Sequence, residues 1–176
     1  MLQELAKRTK ETCNLGILDQ NKVLLIDRVE SSYALRIHSE IGRRFEPHAS
    51  AIGKLLLAHL PKGRRLRMLE EAQPLARFTE YTLTDIDDLE LEFAAIRRQG
   101  YSVSNQGTTL GMLSVAVPVR DSKGRVVAGL SYQAPFVRIT HEYVMEEVVP
   151  ALLHSADRLT QIVCEEEAAA TGIGAD

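Results

Sequence analysis

The fold is decided by MLSVAVPVR at residues 112–120, DSKG at 121–124 and RVVAGLSYQA at 125–134, which together predict a β-hairpin. If the turn is symmetric, Arg120 lies opposite Arg125, and opposed residues share one face of the sheet. One face is then small and partly polar, with the pairs Ser114 and Ser131, Ala116 and Gly129, Met112 and Gln133, and Pro118 and Val127. The other face is apolar and carries Leu113, Val115, Val117, Val119, Val126, Ala128, Leu130 and Tyr132.

These two faces predict two different environments. The apolar face packs into the core, whereas the face with Ser114, Ser131 and Gln133 leaves a hollow lined by hydroxyls and an amide. Binding pockets combine apolar walls with a few polar groups in this way. An ordinary solvated face is the alternative, although such a face normally carries Lys, Glu, Thr or Arg rather than Ala and Gly. A one-residue slip of register would exchange the two faces.

A second decisive segment is PHASAIGKLLLAHL at residues 47–60, which predicts a buried helix after a run of small residues. The free N–H groups and the dipole at such a helix start favour an anion or a carboxylate. Because Ala51 and Gly53 have almost no side chain, a ligand can approach the backbone closely. The alternative is a core helix with a cramped first turn.

Patterns in the rest of the chain predict a mixed α and β domain without internal repeats. The predicted elements are a helix at Leu2–Thr12, a hairpin of Cys13–Leu18 and Val23–Val29, a third strand at Tyr33–Ile37, a helix from Thr84 to Gly100, a strand at Tyr101–Ser104, and a long helix capped by Thr140 and kinked by Pro150. The first helix has no capping residue before it, which is typical of a fragment of a longer protein.

Composition narrows the function classes. An apolar content of 45%, a charged content of 26% and a net charge of −3 over 176 residues are typical of one soluble globular domain. They give no electrostatic footprint for DNA, and no apolar run is long enough to span a membrane. Cys13 and Cys164 lie far apart, which favours a reduced, cytoplasmic protein.

No catalytic, metal or cofactor motif is present. His141 and Glu142 begin an HExxH pattern, but Met145 occupies the place of the second histidine. Cys13 sits in an apolar strand, where a thiol is usually inert. The sequence therefore predicts that the domain is not an enzyme and that it uses neither a cofactor nor a metal.

The order of several segments resembles the C-terminal effector-binding domain of IclR-type bacterial transcription regulators. The segments are NLGILD at residues 14–19, PHASAIGK at 47–54, IRRQGY at 96–101, SVAVPVRD at 114–121, and QAP at 133–135 with RIT at 138–140. The resemblance implies an α+β, GAF-like fold, in which helices flank both faces of an antiparallel sheet. It also implies an effector-binding domain at residues 1–167, a flexible tail at 168–176, and a winged helix-turn-helix domain that is absent from this chain.

The same resemblance implies a site for a small carboxylic or aromatic acid. By motif position, Ala51, Ile52, Ser104, Ser114, Ser131 and Gln133 would form it, with the backbone N–H groups near Ala51 and Ile52 receiving the anionic end. The loop after Tyr101 lacks the acidic residues usual in the family, Leu113 replaces a frequent basic residue, and Gln133 replaces a frequent serine. A ligand less polar or larger than the simplest keto acids is therefore expected.

These observations lead to one main hypothesis and two alternatives. The main hypothesis is a cytoplasmic ligand sensor that self-associates as a dimer or tetramer and reaches DNA only through the missing N-terminal domain. The alternatives are a GAF-like dimerisation module without a ligand and a small enzyme that uses Cys13 or a histidine.

Overall fold

A computed structural model describes residues 1–36 and 38–171 of the chain. Within these residues six strands form one antiparallel sheet in the order β3-β2-β1-β6-β5-β4. The strands are β1 (Thr12–Asp19), β2 (Lys22–Val29), β3 (Arg44–Phe45), β4 (Ser102–Asn105), β5 (Met112–Arg120) and β6 (Val126–Pro135). The helices are α1 (Leu2–Thr9), α2 (Ala51–Ala58), α3 (Lys62–Glu71), α4 (Ile86–Gln99), α5 (His141–Tyr143) and α6 (Val149–Thr171), with a 3₁₀ turn at Phe136–Arg138 and a π-helical turn at Val144–Val148.

Helices cover both faces of the sheet, so the predicted α+β, GAF-like architecture is confirmed. Helices α1 and α6 pack on one face, over a core that includes the fully buried Val115, Leu130 and Tyr132. Helices α2, α3 and α4 form a second core on the other face, where Leu55 and Phe93 are fully buried. The alternation of β5 and β6 separates these two cores, because successive side chains of a strand point to opposite faces.

The hairpin of β5 and β6 has the predicted faces, but its predicted register is wrong by two residues. Ser114 lies opposite Gln133, and Ala116 lies opposite Ser131. The turn shifts the register by one residue, because Arg120 lies opposite Val126, and in this turn the Asp121 carboxylate accepts hydrogen bonds from the backbone N–H groups of Lys123 and Arg125. A β-bulge beside Val119 shifts the register by a second residue. A shift of two residues preserves the faces, so Ser114, Ser131 and Gln133 still share one side of the sheet.

The β-bulge next to this turn also changes the face of the sheet on which Val126 lies. The register shifts between Val119 and Arg120, so that Val119 pairs with Ala128 and Arg120 pairs with Val126. The bulge turns Val126 away from the apolar wall that we predicted for it, and Val126 packs against the core under α2 instead.

The predicted strand at Tyr33–Ile37 is wrong for the described residues, and Ile37 itself lies outside them. Residues 31–36 and 38–43 form bends and turns, and the strand that pairs with β2 is Arg44–Phe45. Two side chains account for this irregular path. The Ser31 hydroxyl accepts from the backbone N–H of Tyr33, and the Arg138 guanidinium donates to the Leu35 carbonyl.

The predicted helices exist, but the residue that caps α4 differs from the prediction. Asp85 rather than Thr84 caps α4, because its carboxylate accepts from the N–H groups of Asp87 and Asp88. The irregularity in the last helix is a π-helical turn at Val144–Val148, directly before Pro150, and helical backbone continues to Thr171, so the helix is disturbed beside this proline without being ended by it. Thr140 caps the start of this region as predicted.

Helix α6 continues to Thr171, through part of the tail predicted at 168–176, and residues 172–176 lie outside the described part of the chain. Among the described residues, no helix combines the length and the apolarity needed to cross a bilayer.

Candidate ligand-binding site

A cavity of about 180 Å³ lies between the sheet, the start of α2 and the segment around β3. This volume is slightly larger than that of an engineered cavity of about 150 Å³ known to hold benzene. Its lining consists of Asn14, Leu25, Arg28, Ser39, Arg43, Phe45, Glu46, Ser50, Ala51, Ile52, Phe78, Thr108, Thr109, Ser114, Ser131 and Gln133. The cavity therefore has the size of a ring or short chain with one or two small substituents.

Two rows of polar side chains cross the sheet at this place. Cross-strand pairing aligns the first row as Thr12, Gln133, Ser114 and Ser104, and the second as Arg28, Asn14, Ser131, Ala116 and Ser102. Opposed residues lie on one face, so these rows give the sheet a polar strip under the cavity.

The cavity brings together five of the six predicted site residues, namely Ala51, Ile52, Ser114, Ser131 and Gln133. Ser104 belongs to the same row of the sheet as Ser114, but it does not line this cavity. It is buried, and its hydroxyl donates to the carbonyl of Ala49 at 2.8 Å. Ser104 thus fixes the segment that leads into α2 and does not face the space where a ligand would lie.

The start of α2 has the tight approach that its small residues predict. Ser50 caps the helix, because its hydroxyl accepts from the N–H of Gly53 at 3.0 Å. A Cβ atom at Gly53 would lie 2.2 Å from the carbonyl oxygen of Pro47, so this position admits only glycine. The N–H groups of Ala51 and Ile52 have no acceptor within the described part of the chain and lie in the first turn beside the cavity.

Other polar groups of the lining are also left without partners. Within residues 1–36 and 38–171, the side chains of Ser114 and Gln133 make no hydrogen bond to another residue. Partly buried polar groups usually find a partner in the protein or in ordered water. Their arrangement around one space suits a bound molecule that carries several hydrogen-bonding atoms.

Sequence reasoning missed Arg28 and Asn14, which line the cavity at its other end. The Arg28 guanidinium donates to the side-chain oxygen Oδ1 of Asn14 at 2.7 Å, and the side-chain nitrogen Nδ2 of Asn14 donates to the Ser131 hydroxyl at 3.3 Å. The Arg28 side chain is only 5% exposed, and burial lowers the pKa of its guanidinium, although Glu30 acts in the opposite direction. No pattern singled them out, because β1 also carries Thr12 and Asp19, and β2 also carries Lys22 and Asp27.

The groups proposed for catalysis do not meet at this cavity. Cys13 faces the α6 side of the sheet, and burial there raises the pKa of its thiol to about 12. The ring of His48 is hydrogen-bonded to the backbone carbonyl of Ala76, and the ring of His59 is hydrogen-bonded to the backbone carbonyl of Leu55. Among the described residues, no group of three or more histidine, cysteine or acidic side chains is placed to hold a metal.

The chain matches the family model described as "Bacterial transcriptional regulator IclR C-terminal" over residues 1–161. This chain belongs to the IclR C-terminal family. It is 38% identical over 165 residues to the probable transcriptional regulator SauR of Cupriavidus necator, which is 94% of this chain and 65% of SauR. The chain thus spans slightly less than two thirds of that relative.

Two solved IclR-family structures share the fold. The C-terminal domain of the Escherichia coli regulator KdgR has a TM-score of 0.81 and 34% identity, covering 91% of this chain and 92% of that one. The inducer-binding domain of PobR from Acinetobacter, a double mutant in complex with 3-hydroxybenzoic acid, has a TM-score of 0.85 and 28% identity, covering 92% and 94%. The predicted IclR-type fold is thereby confirmed.

Proposed function

We propose that this IclR-type domain senses a small organic acid, which binds in the cavity beside the start of α2. The observation that carries the proposal is the convergence of unpartnered hydrogen-bonding groups from α2, β5 and β6 on one space of about 180 Å³. The complex of PobR with 3-hydroxybenzoic acid supports the same class of ligand. A dimerisation module without a ligand would instead be expected to fill this space.

Electrostatics favour an acid over a neutral molecule. The N–H groups of Ala51 and Ile52 lie at the positive end of the α2 dipole, where a carboxylate is stabilised. Arg28 and Arg43 add positive charge to the lining, and the carboxylate of Glu46 is already paired with Lys22. Ser114, Ser131 and Gln133 would hydrogen-bond the ligand, while Phe45 and Phe78 supply apolar wall.

In the full-length regulator, the ligand would act by changing how chains pair. A ligand shifts an equilibrium only by its differential affinity for two states, so the acid must fit one arrangement of a dimer or tetramer better than another. The altered pairing would change the spacing of DNA-binding domains outside this chain. We propose that the regulator works in the cytoplasm, where its DNA is, and that the domain itself performs no catalysis.

A thermal-shift screen of small aliphatic and aromatic acids tests the proposal. An acid at about a hundred times its dissociation constant adds about 2.7 kcal/mol to the free energy of unfolding. For a domain of this size the melting temperature then rises by about 5–10 °C. Ser114→Leu fills the cavity and should abolish this rise.

The matched control is Ser32→Leu, because Ser32 is exposed and does not line the cavity. This variant should respond to the acid as the wild type does. The proposal is wrong if no acid stabilises the wild type, or if Ser114→Leu is stabilised as much as Ser32→Leu.

A further inference from the structure

The second polar row of the sheet gives the cavity a second recognition point, opposite the start of α2. We infer that Arg28 and Asn14 are specificity-determining residues, and that they make the cavity select acids with a second carboxylate. This inference rests on the proposed function and names the ligand class of the same cavity.

The direction of the hydrogen bonds in this row is fixed by chemistry. Arginine has only donors, so the oxygen of the Asn14 amide must face Arg28 and its nitrogen must face Ser131. The Ser131 oxygen is therefore an acceptor toward Asn14, and its own proton must point elsewhere. Ser131 is 3% exposed and lines the cavity, and its hydroxyl makes no other hydrogen bond within the described residues. Its hydroxyl is thus held as a donor for a ligand.

The charge of Arg28 reinforces this donor end. Its nearest carboxylate is Glu30 at 3.4 Å, but Glu30 also binds Arg36 and the ring of His38, each at 3.0 Å. One carboxylate shared among these groups leaves the cavity end net positive. An acceptor that carries negative charge would gain most there, because charge-assisted hydrogen bonds are about twice as strong as neutral ones.

A second buried arginine shows what a purely structural guanidinium looks like in this protein. Arg65 is 3% exposed and binds both oxygens of Glu90, at 2.6 and 2.7 Å, on the outer layer of α3 and α4. That bidentate pair satisfies its own charge. Arg28 instead shares Glu30 with Arg36 and His38 and also holds the Asn14 amide beside the cavity, so its charge is not matched by a bidentate carboxylate of its own.

Donors therefore face the cavity from two sides, the N–H groups of Ala51 and Ile52 and the hydroxyl of Ser131 backed by Asn14 and Arg28. A monocarboxylate with an apolar tail satisfies one side and leaves the other unpaired. Buried groups left unpaired are the strongest source of discrimination between similar ligands.

The experiment compares each dicarboxylate with its monoamide, using succinate and succinamate, glutarate and glutaramate, and isophthalate and 3-carbamoylbenzoate. Affinities are measured by calorimetry on the wild type, Arg28→Gln, Asn14→Asp and Arg28→Lys. In the wild type at least one dicarboxylate should bind about tenfold or more tightly than its monoamide. A merely structural role of Arg28 would lower both affinities equally and leave this ratio unchanged.

Each variant has its own expected ratio. Arg28→Gln removes the charge and the fixed bond direction, and Asn14→Asp neutralises Arg28 and stops the donation to Ser131, so both should reduce the ratio to about twofold or less. Arg28→Lys keeps the charge and should retain most of the preference. Arg98→Gln is the control, because Arg98 is exposed on α4 and does not line the cavity; it should leave the ratio unchanged.

The outcomes separate this inference from the proposed function. If no acid binds the wild type, the proposed function fails, and this inference fails with it. If acids bind without preference for the dicarboxylate, or if the preference survives in both Arg28→Gln and Asn14→Asp, only this inference is overturned. Should Arg28→Gln not fold, the wild-type ratio and the nearly isosteric Asn14→Asp decide the result.

Discussion

The two faces of the sheet use the same strands in opposite ways. Toward α6, the side chains of Val115, Val117, Leu130 and Tyr132 are fully buried in a continuous apolar core. Toward α2, their immediate neighbours in the sequence include Ser114 and Ser131, which border a cavity. One face of the hairpin therefore builds the core, and the other face of the same hairpin borders the cavity.

The α2 face is itself divided between a packed part and an open part. Under the first turn of α2 the sheet carries glycine, and a Cβ atom at Gly129 would lie 3.0 Å from the Ile52 side chain. Beyond the helix start, the small residues give way to the polar rows under the cavity. Close packing between α2 and the sheet thus ends where the hydrogen-bonding groups that line the cavity begin.

Truncating one side chain on each face should give the largest difference in the free energy of unfolding. Leu130→Ala should lower the free energy of unfolding by about 2–5 kcal/mol, because it opens a cavity in a close-packed core. Ser114→Ala removes a hydroxyl without a partner, and should change stability by no more than about 0.5 kcal/mol. Urea denaturation of both variants measures the difference. Equal losses would mean that the α2 face carries as much of the stability as the α6 face.

A smaller effect is expected where the α2 face is packed. Gly129→Ala should cost about 1–3 kcal/mol, because the new methyl group would crowd Ile52 at 3.0 Å and Leu55 at 3.4 Å. Gly63→Ala is the matched control, since a Cβ there meets nothing within 4 Å in the first turn of α3. That control should be neutral or slightly stabilising. A neutral Gly129→Ala would place the boundary of the hollow elsewhere.

The faces were predictable from the sequence because they depend only on whether positions are odd or even. A register error of two residues leaves Ser114, Ser131 and Gln133 on the same side, so the prediction survived a wrong pairing. The pairing itself depends on the side chain of Asp121 and on the bulge beside Val119, which no alternation pattern reveals.

Two features of the site could not be predicted from the sequence, because they depend on which distant segments become neighbours in the fold. Arg28, Asn14 and Ser131 become neighbours only through the pairing of β2, β1 and β6, which are distant in the chain. Ser104 lies in the same row of the sheet as Ser114, but the segment before α2 covers it, and its hydroxyl donates to the carbonyl of Ala49. Both facts follow from tertiary packing, whereas motif position identified the residues next to α2 and on the hairpin.

The smallest effect concerns the reactivity of the two cysteines. Cys13 faces the α6 side, and burial raises the pKa of its thiol to about 12, so at pH 8 almost none of it is present as the reactive thiolate. Cys164 is half-buried on α6. Ellman's reagent should therefore label Cys164 in the native protein and reach Cys13 only after unfolding, with Cys164→Ser as the control that leaves one protected thiol. Rapid labelling of that variant under native conditions would show that reagent reaches Cys13 without unfolding. The α6 face would then not be the closely packed face that the contrast with the cavity side requires.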